Sequence, residues 1–266
     1  MTCLPFLMYD GFRPNGESRT AVLEKNAGKP PNERERRSMT EKEKNNSGKK
    51  ICICLKENIL PVGKNGVPTA ERKTLSHRLL YEAASLCLGQ SGRLPASGGP
   101  EADSWRIEKG KYGKPYFSEH PELHFSISHS GTVWCCAFSA SPVGLDIQMH
   151  GFTGKKVPQE KVQEQLRLRQ KRIADRFFHP SERLWLKNGG DFFDVWVAKE
   201  SYVKYIGEGM HRSFESFATA DENGLLPYVK GEGPRAQLRH LPAPAGCSLC
   251  LCAERIGGVE VLSEMA

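Results

Sequence analysis

The stretch Asp191–Lys204, DFFDVWVAKESYVK, constrains this chain more than any other. Wound at 100° per residue with Trp196 at 0°, it places Tyr202, Val195, Ile206 and Val203 on an arc from about 240° to about 340°. Glu200 then falls at about 40° and Lys204 at about 80°, on the rim of that arc, while Lys199 falls at about 300°, inside it. Periodicity alone leaves two readings. One is a core helix with a Glu200–Lys204 pair at the surface, in the favourable order, and a snorkelling Lys199. The other is a helix whose charged groups serve a site. Gly207–Glu208–Gly209 ends the helix in either case.

A helix this apolar needs sheets to cover it, and the chain supplies them on both sides. Lys50–Leu55 is a short β-like run. Glu71–Leu88 reads as an amphipathic helix with Leu75, Leu79, Ala83 and Leu86 along one face. Arg72, Lys73, His77 and Arg78 cluster in its first half, either as a solvated basic face or as a grip on phosphate. Ser104–Glu108 reads as a strand, and Gly113 and Pro115 mark a tight turn. Leu123–Ser128, Thr132–Ser139 and Val143–Gln148, joined by turns at Gly131 and Ser141-Pro142, predict an antiparallel meander. A basic helix over Glu160–Phe178 follows, with Val162, Leu166, Ile173 and Phe177 facing inward. His179-Pro180-Ser181-Glu182 reads as a helix stop and a new N-cap. After the organising helix, Ser213–Thr219, Leu225–Val229, Ala236–Leu241 and Cys247–Ala253 are strand candidates. The order of elements in the second half repeats that of the first. The expected fold is α+β, a pseudo-twofold repeat of two similar α/β halves, each a long helix packed on a small, mostly antiparallel sheet. Residues 51–150 form the first half and 151–266 the second. Residues 1–50 form a basic tail, expected to be disordered because it holds too few apolar residues to offset the entropy of ordering.

The charge balance narrows the partners. The net charge is +7, of which the tail carries 11 basic and 7 acidic residues, so the rest of the chain is only mildly basic. That argues against a nucleic-acid partner and suits a local pocket for an anionic small ligand. No apolar run is long enough for a membrane span, and the first residues lack the basic segment of a secretory signal. The nine cysteines suggest no disulfide framework. They read as buried reduced thiols in a cytoplasmic protein, with Cys247 and Cys250 as strand residues rather than half of a zinc site.

Three stretches gather the polar groups: Gly113-Lys-Pro115; Ser126-Ile-Ser-His-Ser-Gly131 with Val143-Gly-Leu-Asp-Ile-Gln148; and the organising helix with Glu182 before it. Asp146 and Glu200 are hard oxygen ligands suited to Mg²⁺. Lys114, His129, Lys199 and Lys204 are donors suited to phosphate. With Ile173-Ala-Asp-Arg-Phe-Phe178 and Trp196-Val-Ala-Lys-Glu-Ser-Tyr-Val-Lys204, these stretches resemble the surfactin-type 4′-phosphopantetheinyl transferases in order and spacing over about residues 51–262.

The resemblance implies an Mg²⁺-dependent, monomeric enzyme that moves phosphopantetheine from coenzyme A, bound between the halves, to a serine of an apo acyl or peptidyl carrier protein. It implies Asp146, Gln148 and Glu200 at the metal, with Gln148 standing where the family often has Glu. Ser128 and His129 would meet the 3′-phosphate, helped by basic residues of the first half, Arg78 among them. Lys114 would border the adenine, and Lys199, pointing into the cleft, would bind the diphosphate with Lys204. Glu200 or Glu182 would accept the serine proton, with Lys204 completing the catalytic set.

Overall fold

In the computed structural model of the protein, the described residues are 50–59, 70–89, 105–151 and 159–262; the tail, Lys50 apart, lies outside them. Along the chain run β1 (Ile51–Lys56), helix α1 (Ala70–Gly89), the short strands β2 (Ile107–Lys109) and β3 (Pro115–Phe117), then β4 (His124–Ser130), β5 (Val133–Ser139) and β6 (Val143–Met149). Helices α2 (Gln159–Phe177), α3 (Pro180–Lys187) and α4 (Phe192–Ile206) follow. Strands β7 (Phe217–Asp221), β8 (Gly224–Gly231), β9 (Gln237–His240), β10 (Cys247–Ala253) and β11 (Val259–Leu262) close the chain. No described helix is long and apolar enough to cross a membrane.

One sheet has the order β11-β1-β5-β4 and a second the order β6-β10-β9-β8-β7, while β2 and β3 form a small hairpin. The pairings are antiparallel except that β1 and β11 run parallel. Three apolar clusters stack the layers. Leu79, Leu80 and Ala83 of α1 pack on Cys54, Trp134 and Phe138 of the first sheet. The other face of that sheet, with Ile51, Ile53 and Ala137, meets Leu145, Ile147, Leu249 and Leu251 of the second. Val195, Trp196 and Tyr202 of α4 cover the far face with Leu238, Cys250 and Cys252. The result is an α–β–β–α stack, an α+β architecture.

Two strand placements correct the expected meander. The hairpin β4–β5 forms, with Gly131 at φ 57° in its turn, but β6 leaves it and pairs with β10 from Cys247↔Met149 to Ala253↔Val143. Strand β11, which carries too few residues for an alternation signal, crosses back to pair with β1. Each sheet therefore takes an edge strand from the other half of the chain.

Serine side chains join β6 to β4 in place of a backbone ladder. The amides of Leu145, Ile147 and Met149 donate to the hydroxyls of Ser126, Ser128 and Ser130, at 2.9, 3.2 and 3.0 Å. Alternate residues of a strand share a face, so the Ser-x-Ser-x-Ser spacing presents three acceptors in register with three donors. Buried amides that would otherwise lack partners are satisfied this way.

The reading of all cysteines as thiols is also corrected, since Cys52 on β1 and Cys87 in the last turn of α1 are joined in a disulfide. The sequence separation of 35 conceals the pairing, which arises only when α1 lies back on the sheet. The other described cysteines carry no disulfide. Cys247 and Cys250 fall in different clusters on opposite faces of β10, so they form no joint site.

Candidate active site

Helix α4 is placed by its ends and by one glycine. Asp191 caps its start by accepting from the Phe193 amide at 2.7 Å, and Gly207 ends it in the left-handed conformation at φ 75°. Ten of its residues are buried, Lys199 and Ser201 included, so its burial extends nearly all round rather than along one arc. Gly144 of β6 lets it lie this close. A Cβ there would stand 2.5 Å from the Tyr205 amide nitrogen and closer still to the Ser201 carbonyl oxygen. The glycine of Gly-x-Asp and the serine of Lys-Glu-Ser are thus the two sides of one helix–strand contact.

That contact sets the charged groups around Asp146, which is 2% exposed. Lys204 Nζ lies 2.5 Å from Asp146 Oδ1 and donates to the Leu145 carbonyl at 3.1 Å. Ser128 donates to the same Oδ1 at 2.7 Å while accepting from the Ile147 amide. Burial pushes the Asp146 carboxyl up, with Lys204 and Ser128 opposing. Glu200, half-buried beside it, is pushed up to about 7 by burial and then by the charge of Asp146, against Lys204. Asp146 pairs with the Lys204 ammonium, and Glu200 feels its charge in the same poorly solvated corner. A divalent cation would supply the positive charge that opposes the two raised carboxyls, so this donor set fits Mg²⁺. The Gln148 amide nitrogen is spent on Ser130 Oγ (2.9 Å) and the Met149 carbonyl (3.2 Å). Its Oε1, a neutral oxygen, is left as the atom to offer a metal.

His129 projects from β4 next to this corner, and its Nδ1 lies 3.5 Å from an Arg72 guanidinium nitrogen. Although the residue is exposed, desolvation of the ring, with the charges of Arg72 and Lys204, pushes it down to about 4. Arg72 is 1% exposed and donates to the Gly131 carbonyl at 2.7 Å. Of the basic cluster on α1, Arg72 therefore reaches the site, whereas Arg78 stands on the exposed side and pairs with Glu82 at 3.5 Å.

Lys199 and Glu182 do not join the corner. They pair with each other at 2.9 Å, both wholly buried. Lys199 also donates to the carbonyls of Phe214 (2.6 Å) and Phe217 (2.7 Å), so its three protons are used. Burial pulls its ammonium down to about 8, with Glu182 opposing. Glu182 Oε1 accepts from the Thr219 amide and hydroxyl, and Oε2 accepts from the His179 amide in the capping box of α3. The inward aim of Lys199 comes from the helix wheel, but what it meets is the β7 layer. Lys114 is likewise spent on carbonyls, those of Val143 and Tyr205, at 3.1 Å each, which ties the Gly113 turn to the end of α4.

Residues 142–250, which hold Asp146, Gln148, Glu200 and Lys204, match the model of the 4′-phosphopantetheinyl transferase superfamily. That segment of the chain is similar to the superfamily. The chain is 37% identical over 117 residues to 4′-phosphopantetheinyl transferase gsp of Aneurinibacillus migulanus, covering 42% of each chain. It is 34% identical over 155 residues to a 4′-phosphopantetheinyl transferase of Bacillus subtilis, covering 56% of this chain and 58% of that one. With the Sfp transferase of B. subtilis strain 168 it shares 34% over 119 residues, 42% of this chain and 46% of that one. The chain thus spans about half the length of the curated relatives it matches.

Two groups here were not picked out from the sequence as parts of the site. Gly144 was visible as the glycine of Gly-x-Asp, but its role depends on a helix more than 50 residues away. The other is Asp194, which accepts from Ser248 at 2.6 Å, while Ser248 meets His150 at 2.8 Å. This chain of contacts anchors the first turn of α4 to β10 and the end of β6, and no local spacing signals it.

Proposed function

We propose that this chain is an enzyme that transfers 4′-phosphopantetheine from coenzyme A to a serine hydroxyl of an apo carrier protein, acyl or peptidyl, releasing 3′,5′-ADP. The observation that carries the reading is the corner of Asp146, Glu200 and Lys204 at the β6–α4 crossing, inside the segment matched by the superfamily model. Asp146 and Glu200 would hold Mg²⁺, with Gln148 Oε1 or a water as a further ligand. When bound, the ion supplies positive charge for the diphosphate and its leaving oxygen. Lys204 would turn its ammonium to the same phosphates, since in-line displacement at phosphorus depends mainly on positioning and charge neutralisation. Ser128, His129 and Arg72 offer donors for the 3′-phosphate, and the Gly113–Pro115 turn, held by Lys114, would border the adenine. Glu200, raised toward neutrality, is the group to accept the serine proton, directly or through a water. Lys199 and Glu182 would hold α4 and α3 in place.

The same reading makes the protein a cytoplasmic monomer with no nucleic-acid or membrane partner. The test is incubation of the full chain with coenzyme A, Mg²⁺ and an apo carrier protein, followed by intact mass. The expected result is one phosphopantetheinyl group on the carrier serine, lost on chelation of the metal. Binding of coenzyme A with no transfer to any carrier would overturn the reading in favour of a silent coenzyme A binder, for which the neutral Gln148 is the motive.

A further inference from the structure

We infer that Cys52, Cys54 and Cys87 form a second metal site, a three-thiolate centre for a soft d¹⁰ cation, Cu⁺ or Zn²⁺, which the Cys52–Cys87 disulfide keeps closed. The site lies between β1 and the last turn of α1, in the layer between the first sheet and its helix. A disulfide needs two sulfurs, yet the sulfurs of all three cysteines lie within 4.8 Å of one another. Cys-x-Cys on a strand points both side chains to one face, here the face that α1 covers, and α1 brings the third sulfur down onto them.

The spacing suits a shared ion. Cys54 Sγ lies 3.7 Å from Cys87 Sγ. Two thiolates bound at about 2.3 Å to one tetrahedral ion stand about 3.8 Å apart. The environment suits a soft ion too. Cys54 sits wholly buried among Leu79, Leu80, Ala83 and Phe138, while Cys87 is half-buried and offers a way in. Burial pushes the Cys54 thiol up to about 11. The Cys52–Cys87 disulfide stays in place until an external reductant opens it. Soft thiolates select Cu⁺ and Zn²⁺ over Mg²⁺, so the centre does not compete with the oxygen ligands at Asp146.

The chemistry balances in two steps. A dithiol delivers two electrons and two protons to the Cys52–Cys87 bond, becomes a disulfide itself, and leaves two thiols. The cation then replaces the protons of the three thiols, which pass to solvent. Three thiolates complete a trigonal site for Cu⁺, whereas Zn²⁺ takes a water as its fourth ligand.

The test uses the full chain, reduced anaerobically with a phosphine and then freed of it. One sample is titrated with Co²⁺, the spectroscopic stand-in for Zn²⁺, followed by Zn²⁺ displacement. A second is titrated with Cu⁺ against a chromogenic chelator. Uptake of one equivalent of either ion, with a thiolate-to-metal absorption band in the cobalt arm, is expected. Cys87→Ser should weaken it at least 100-fold, and the oxidised wild type, which keeps every other thiol, should take none. Cys54→Ser, checked for native circular dichroism, should weaken it likewise. The half-buried Cys87 variant carries the test if the Cys54 variant does not fold. The proposal is overturned if the reduced chain takes up neither ion more tightly than the oxidised chain, or if Cys87→Ser binds as wild type does.

Discussion

Gly144 and Ser201 meet backbone to backbone, with no room for a Cβ between strand β6 and helix α4. The contacts between β6 and α4 at the candidate site depend on this approach, because Asp146 lies two residues along β6 while Glu200 and Lys204 flank Ser201 on α4. Gly144→Ala must push the helix away. Overpacking of this kind costs about 1–3 kcal/mol and more when backbone is the obstacle. A lower denaturant midpoint and lost transfer are expected together. Gly258, where a Cβ meets nothing within 4 Å, is the control, and Gly258→Ala should stay within about 0.5 kcal/mol of wild type.

Asp146→Asn and Glu200→Gln keep the shape of the corner and remove its charge. Both carboxyls are held above their ordinary range by burial, so their ionised forms are destabilising without metal. Each variant should lose carrier modification. Glu200→Gln should also melt no lower than wild type in metal-free buffer, whereas Asp146→Asn, which leaves Lys204 without its carboxylate partner, should melt lower, and neither should show a further rise when Mg²⁺ is added. Transfer at wild-type rate and ordinary Mg²⁺ by either variant would remove these residues from the metal.

The same shifts set a pH dependence. A carboxyl raised in the folded state gives stability that is fully present below its unfolded value and is lost as pH rises through the folded one, about 7 for Glu200. Metal-free protein should therefore lose stability between about pH 4.5 and 7 on this account. Mg²⁺ competes with the proton at Glu200, so the metal should raise the melting temperature more at pH 8 than at pH 6. Equal shifts at the two pH values would show that Glu200 does not titrate against the ion.

Much of this was legible in the chain, and what was not has a common physical origin. Alternation and turn residues located β4, β5, β6 and β10, because each signal is local. The partners of β6 and β11 are non-local, and an alternation pattern is the same whichever sheet a strand joins. Asp146, Glu200 and Lys204 were singled out by residue type and by the resemblance of their motifs. The helix wheel gave Lys199 an inward direction but no partner. Only the fold shows that Glu182, Phe214 and Phe217 absorb it, and that Cys87 reaches β1.

Gln148→Glu should lower the Mg²⁺ concentration needed for half-maximal transfer, since a charged ligand replaces a neutral one beside the ion. The gain has a cost, because the Gln148 amide donates to Ser130 and the Met149 carbonyl. A carboxylate keeps a bond to Ser130 only if the hydroxyl turns from acceptor to donor, and it faces the Met149 carbonyl as a second acceptor, so a stability loss of about 1 kcal/mol in metal-free buffer is expected. Superimposable Mg²⁺ titrations would place the side chain outside the metal's reach.

Lys199 and Glu182 provide the sharpest separation of support from chemistry. Both are wholly buried and matched in hydrogen bonds, with Thr219, His179 and the carbonyls of Phe214 and Phe217 completing the set. Removing one partner strands a buried charge, which costs about 3–5 kcal/mol, whereas replacing both by neutral groups of similar size is far milder. Lys199→Met alone should therefore lower the denaturant midpoint strongly, and the double variant Lys199→Met/Glu182→Gln should recover most of the loss. At a temperature where the double variant is folded, its transfer rate at saturating coenzyme A should lie within a few-fold of wild type. The Glu182 carboxylate already accepts from the Thr219 amide and hydroxyl, the His179 amide and Lys199, which is the reason to expect a scaffold role. If the double variant is fully folded yet loses transfer by orders of magnitude with an altered pH profile, the pair belongs to the chemistry and not to the scaffold.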